Sequence, residues 1–149
     1  MDAHDATGRS PRSLLRLRPD DFRVMTWKNG LGTTTELAVD PPGASLDDFG
    51  WRVSIADLRA SGPFSAFPGC DRLIVALDGA PVTLRHDDGA VHPLVPLEAY
   101  RFAGERATFS ALGAGPARDF NVITRRARWS ATLEVVHLAP GQVATVAAR

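Results

Sequence analysis

Two arginines interrupt stretches that otherwise read as core. Arg52 sits within Trp51-Arg52-Val53-Ser54-Ile55-Ala56, and Arg72 immediately precedes Leu73-Ile74-Val75-Ala76-Leu77. A guanidinium in such surroundings must be paired or must receive an anionic ligand, because an uncompensated buried charge is costly. Its rigid fork of donors matches a carboxylate, so two guanidiniums in one cavity would suit a small carboxylate or dicarboxylate. Without a ligand, Arg52 would lie on a solvated sheet face and Arg72 would pair with Asp71 or Asp119.

Other residues could serve the same chemistry. In Trp27-Lys28-Asn29-Gly30-Leu31-Gly32, backbone N–H groups, the Asn29 amide and the Lys28 ammonium could form a lip over an anion. The plainer reading is a tight hairpin in which Trp27 packs and the glycines serve geometry; it explains Asn29-Gly30 well and Lys28 and Gly32 poorly. Phe64, Ser65 and Phe67, in Gly62-Pro63-Phe64-Ser65-Ala66-Phe67-Pro68-Gly69, could line a pocket mouth, with Ser65 donating a hydrogen bond. The preferred account is a rigid connector whose rings plug the end of the fold. Asp119 and Asn121 fall on one side of a strand, with Phe120 opposite, and could orient an arginine. Cys70 has no base nearby in sequence and reads as a small buried residue. Arg125-Arg126-Ala127-Arg128-Trp129 reads as a solvated strand end rather than a nucleic-acid patch, given the neutral balance of the chain. His4, His86, His92 and His137 show no His-x-His spacing, so no metal and no cofactor are expected.

The elements that must hold these residues are strands. Trp51, Val53 and Ile55 alternate with Arg52, Ser54 and Ala56, while Leu73 to Leu77 is continuously apolar, as in a strand covered on both faces. Asn29-Gly30 marks a hairpin between Arg23–Lys28 and the β-branched run Thr33 to Val39. Further strands are expected from Leu14 to Leu17, Val82 to His86, Leu94 to Leu97, Ala99 to Phe102, Thr108 to Leu112, Phe120 to Thr124, Thr132 to Leu138 and Val143 to Val146. Turn signals recur every few residues between them and no helical stripe persists, which is the pattern of an all-β sandwich or barrel. Residues 1–13 read as a mobile tail and 14–149 as a single domain.

The totals set bounds. The chain has 149 residues, 44% apolar and 23% charged, with 17 basic and 17 acidic side chains. That suits one globular domain and supplies no field for steering toward nucleic acid or anionic membrane. No long apolar run or signal-peptide pattern is present, so the cytoplasm is the expected compartment, with no membrane partner. One cysteine leaves no internal disulfide.

Five motifs in order resemble the HutD/Ves family: Trp27-Lys28-Asn29-Gly30-x-Gly32, Trp51-Arg52-x-Ser54-Ile55-Ala56, Gly62-Pro63-Phe64-Ser65-x-Phe67-Pro68-Gly69, Asp71-Arg72 and Asp119-Phe120-Asn121. Together they span roughly residues 14 to 126 and are specific as a set. The resemblance implies a cupin-like β-sandwich (a jelly roll, two-lobed in family members) and a binder of a histidine-utilisation intermediate that limits flux. A small carboxylate such as N-formylglutamate or urocanate is the implied ligand. Arg52 and Arg72 would hold the carboxylate, the Lys28-Asn29-Gly30 lip would close the pocket, and Trp51 or Phe64 would supply apolar wall. Trp27, Ser54, Ser65, Asp119 and Asn121 complete the candidate set. The chain ends at Arg149, soon after the Asp-Phe-Asn motif, so a second lobe would be abbreviated or completed by a partner subunit in a homodimer. A metal-independent isomerase or lyase on the same scaffold, and a subunit serving only assembly, are the alternatives.

Overall fold

The computed structural model describes residues 14–146. The tail expected over 1–13 lies outside them. A single 3-10 turn, Pro19–Asp21, precedes ten strands. These are β1 (Arg23–Thr26), β2 (Gly32–Asp40), β3 (Trp51–Leu58), β4 (Gly62–Pro63), β5 (Cys70–Gly79), β6 (Val82–His86), β7 (Val91–Pro93), β8 (Tyr100–Ala103), β9 (Thr108–Leu112) and β10 (Ala117–Arg125). They form two antiparallel sheets, a six-stranded one in the order β1-β2-β3-β10-β5-β8 and a four-stranded one in the order β4-β9-β6-β7.

The strand chemistry explains the order. β3 buries every second residue, Arg52, Ser54, Ala56 and Leu58. β5, flanked by β10 and β8, buries the unbroken run Arg72 to Val75, as expected of a strand covered on both faces. The Asn29-Gly30 hairpin forms, with Gly30 at φ 72° and the Trp27 N–H donating to the Gly32 carbonyl at 3.0 Å. Inside the sandwich the main core joins Leu58, Ile74, Val82, Leu84, Leu94, Phe102 and Ala117. A smaller cluster of Phe49, Cys70 and Ile123 packs with Val39, Ala44 and Phe67.

Four expected strands are absent. Leu14 to Leu17 is irregular and exposed, with Leu14 at 96%. Leu94 to Leu97 is a turn with Leu97 at φ 64°, and the strand beside β6 is the preceding Val91–Pro93. Thr132 to Leu138 keeps the alternation that suggested a strand, with Leu133 and Val135 half-buried and Thr132 and Glu134 exposed. It has no strand partner, and neither does Val143 to Val146. Alternation shows which side of a segment meets the body; pairing also requires a neighbouring backbone edge.

Candidate functional site

Register brings the polar residues of the sequence motifs onto one face. β10 pairs with β3 so that Ile123 lies opposite Arg52, Asn121 opposite Ser54 and Asp119 opposite Ala56. On its other edge β10 places Ile123 opposite Arg72 and Asn121 opposite Ile74. Directly opposed residues share a side of an antiparallel sheet, so Arg52, Ser54, Arg72, Asp119 and Asn121 all face inward. With Thr34, Ala56 and Ile123 they line a cavity of about 510 Å³. Residues Met25 to Asn29 of the β1–β2 hairpin, Leu46, and Pro63, Phe64, Ser65 and Phe67 of the connector complete its wall. The main core borders it at Ala56 and the smaller cluster at Ile123, so a polar band lies between two apolar plugs.

The two arginines are held differently. Arg52 is 6% exposed, and its Nε donates to Glu36 Oε2 at 2.8 Å. Glu36 stands opposite Ser54 on β2, one diagonal step from Arg52. No terminal nitrogen of Arg52 forms a hydrogen bond with a described residue, which leaves that end of the fork for the cavity. Arg72 is 7% exposed and pairs with neither Asp71 nor Asp119. Asp71 is taken by Arg126 at 2.8 Å. Arg72 Nη2 donates instead to Asn121 Oδ1 at 2.9 Å and Nη1 to the Ser65 carbonyl at 3.3 Å, while Nε has no partner. The rings of Phe64, Phe67 and Phe102 surround the guanidinium, with centroids 5.2, 5.5 and 5.0 Å from Cζ. Burial lowers its pKa to about 10, so it remains a cation at neutral pH.

Asn121 links Arg72 to Asp119, because its Nδ2 donates to Asp119 Oδ1. Asp119 is fully buried and its Oδ2 is unpartnered. Desolvation raises this carboxyl from 3.8 to about 7, against the opposing pull of Arg72 and the Asn121 donor.

The remaining candidates divide. Ser54 and Phe64 line the cavity, as do Trp27 and Lys28 of the hairpin. Trp27 donates from Nε1 to Thr34 Oγ1 at 2.7 Å and packs on the main core. Asn29 also borders the cavity, but its Oδ1 already accepts the Leu31 N–H at 3.0 Å. Gly30 shapes the turn and does not reach the cavity wall. Ser65 contributes its carbonyl oxygen to Arg72, so its contact is as a backbone acceptor and not as the expected hydroxyl donor. Trp51 does not line the cavity: it lies on the outer face of β3 with Val53 and Ile55, and the apolar wall comes from Phe64, Phe67 and Ile123. Alternation separates the two faces of β3 but does not say which is inward; pairing with β10 does. The pairing of Glu36 with Arg52 was missed for a related reason. Glu36 shares a face with Thr34, yet only the register of β2 on β3 sets it beside Arg52.

The HutD family model matches residues 19–149. The chain belongs to the HutD family. A 21.2 kDa protein of Pseudomonas putida, named for its place in the hutC 3′ region, is 44% identical over 118 residues, 79% of this chain and 62% of that one. Protein Ves of Escherichia fergusonii is 38% identical over 103 residues, 68% of this chain and 53% of its own. The structure of HutD from Pseudomonas fluorescens SBW25 is 42% identical with a TM-score of 0.66, covering 72% of this chain and 58% of that one. The chain thus spans only about three fifths of these relatives or less. The fold is cupin-like: the cupin domain of an XRE family transcriptional regulator from Enterobacter cloacae, 18% identical, superposes with a TM-score of 0.50 over 63% of this chain and 96% of that domain.

Chemically, the cavity offers a cation without a carboxylate partner among the described residues, a second cation with a free end, a carboxyl that can hold a proton near neutrality, and aromatic wall. Among the described residues no three His, Cys, Asp or Glu side chains assemble as a ligand set. Nor is any described helix long and apolar enough to cross a membrane.

Proposed function

We propose that this chain is a binding protein for a small carboxylate, with a regulatory role in histidine utilisation. The observation that carries the reading is Arg72, a buried guanidinium that lines a cavity and has no carboxylate of the described residues within ion-pairing distance. A charge in that position is a standing cost that a ligand anion would offset. The cavity volume falls in the range of small-molecule sites, roughly 300–1,000 Å³. Arg72 and the free end of Arg52 would hold the carboxylate, Lys28 would stand at the rim, and Phe64 and Phe67 would cover the apolar part of the ligand. The regulatory role rests on membership of the HutD family and on the hutC-associated name of the Pseudomonas putida relative.

A thermal-shift screen with formate, glutarate, N-formylglutamate and urocanate tests the reading. An acid at one hundred times its Kd stabilises the native state by about 2.7 kcal/mol, which raises the Tm by several degrees. The acid is recovered unchanged, and Arg72→Ala abolishes the response. If no acid shifts the melting point, or if Arg72→Ala responds like wild type, the clamp is wrong.

A second reading, a metal-independent isomerase or lyase, is favoured by Asp119, whose carboxyl titrates near neutrality at the cavity wall. It predicts conversion of the bound acid and loss of turnover in Asp119→Asn.

A further inference from the structure

Arg72 and Asp119 do not touch, but one amide, that of Asn121, bonds both of them. Asp119 is the carboxylate whose charge acts on Arg72, but Asn121 stands between them, accepting from Arg72 Nη2 and donating to Asp119 Oδ1. Asp119 Oδ2 is sealed from water without a hydrogen-bond partner. Its ionised form therefore depends first on the field of Arg72 and then on the Asn121 donor. An anion docked on Arg72 neutralises that field and adds a negative charge beside Asp119. Both effects act against the ionised carboxylate in a site of low polarisability.

We propose that the cavity binds its anion together with one proton, taken from the medium and held on Asp119 Oδ2, so that the ligand enters as an acid and not as an anion alone. The proposal rests on the carboxylate-binding reading given above. The bond made is the O–H bond of Asp119 and the bond broken is that of hydronium or a buffer acid, whose conjugate base stays in the medium; the proton returns to the medium when the ligand dissociates.

The other charged groups around Asp119 do not supply an alternative site for the proton. On β3, Arg52 is tied to Glu36, and Asp57 adds a negative field that raises Asp119 further. On β2, Glu36 is spoken for by Arg52 at 2.8 Å. On β5 the facing charge is Arg72 itself, still protonated with its pKa at about 10. Lys28 stands exposed at the rim, and on β10 Arg118 is bound to Asp78 in the exposed pair. No described histidine lines the cavity. His86, in the opposite sheet, bonds Thr108 and Tyr100, and burial lowers its pKa, so it is neutral above pH 6.5. The already raised carboxyl of Asp119, at about 7, places the effect within reach of ordinary buffers.

Titration calorimetry with formate, glutarate and N-formylglutamate, none of which titrates between pH 6 and 9, reads the coupling. At pH 8, measured in buffers of different ionisation enthalpy, wild type takes up close to one proton per ligand, falling toward zero at pH 6. Affinity falls up to tenfold per pH unit above about 7, the limit for one linked proton. Asp119→Asn, which mimics the proton-loaded carboxyl, binds more tightly than wild type at pH 8 and takes up no proton. Binding without proton uptake, or with uptake unchanged in Asp119→Asn, overturns the inference and leaves the binding function standing. If none of the three acids binds at any pH, the carboxylate reading falls and this inference falls with it. Should Asp119→Asn fold poorly, the buffer series on wild type alone decides the matter.

Discussion

Asp119→Asn replaces a fully buried carboxyl by an amide of the same shape that cannot ionise. In the folded protein the carboxyl titrates at about 7; in the unfolded chain it returns to 3.8. Between those values the native state holds a proton that the unfolded chain has released. Stability contributed by Asp119 is therefore complete below the unfolded value and is lost as pH rises toward the folded one, by about 1.4 kcal/mol per pH unit. Over the whole interval the loss comes to about 4 kcal/mol, and it is flat above pH 8, where both states are ionised. His86 acts in the opposite direction. Its lowered pKa makes stability fall as pH drops below 6.5, so the quantity to follow is the difference between wild type and variant at each pH. Urea unfolding at pH 5, 6, 7 and 8 supplies it. The wild-type advantage over the variant should shrink by about 2–3 kcal/mol from pH 5 to 7 and then level off. Parallel curves across that range would show that Asp119 ionises normally, and would remove the physical basis for a proton-holding acid in the cavity.

Three further substitutions probe the site's construction. Glu36→Ala strips Arg52 of its buried partner and should cost about 3–5 kcal/mol in urea unfolding, whereas Glu36→Leu combined with Arg52→Met should be close to neutral. Equal losses in both proteins would contradict a buried pair. Gly32→Ala drives a Cβ into the Asp57 carbonyl oxygen at the base of the hairpin and should destabilise by about 1–3 kcal/mol; an unchanged midpoint would mean the hairpin sits elsewhere. Lys28→Ala, at the exposed rim, should weaken acid binding by less than about 1 kcal/mol and reduce its salt dependence. A larger loss would place Lys28 in direct contact with the ligand.

Much of the fold was legible because alternation and turn residues mark strands locally. Val82–His86 and Thr108–Leu112 run as read, and the Asn29-Gly30 hairpin closes where its glycine requires positive φ. Errors arose where the outcome depends on a distant edge. Thr132 to Leu138 has strand-like alternation without a partner, and Trp51 looks like cavity wall until β10 fixes which side of β3 is inward. The same limit hid the pairing of Glu36 with Arg52, since the contact crosses from β2 to β3 over sixteen residues. At the site, the arginines announced themselves as charges in apolar runs. Their different circumstances, one paired with a glutamate and the other enclosed by three rings, are properties of packing alone.

The most direct test is the crystal structure of the protein with the acid that stabilises it most. The bound carboxylate should lie in the cavity with an oxygen about 2.7–3.2 Å from a nitrogen of Arg72 or Arg52. An acid seated outside the cavity, or one inside it with both guanidiniums untouched, would contradict the claim that Arg72 is kept unpaired to receive it.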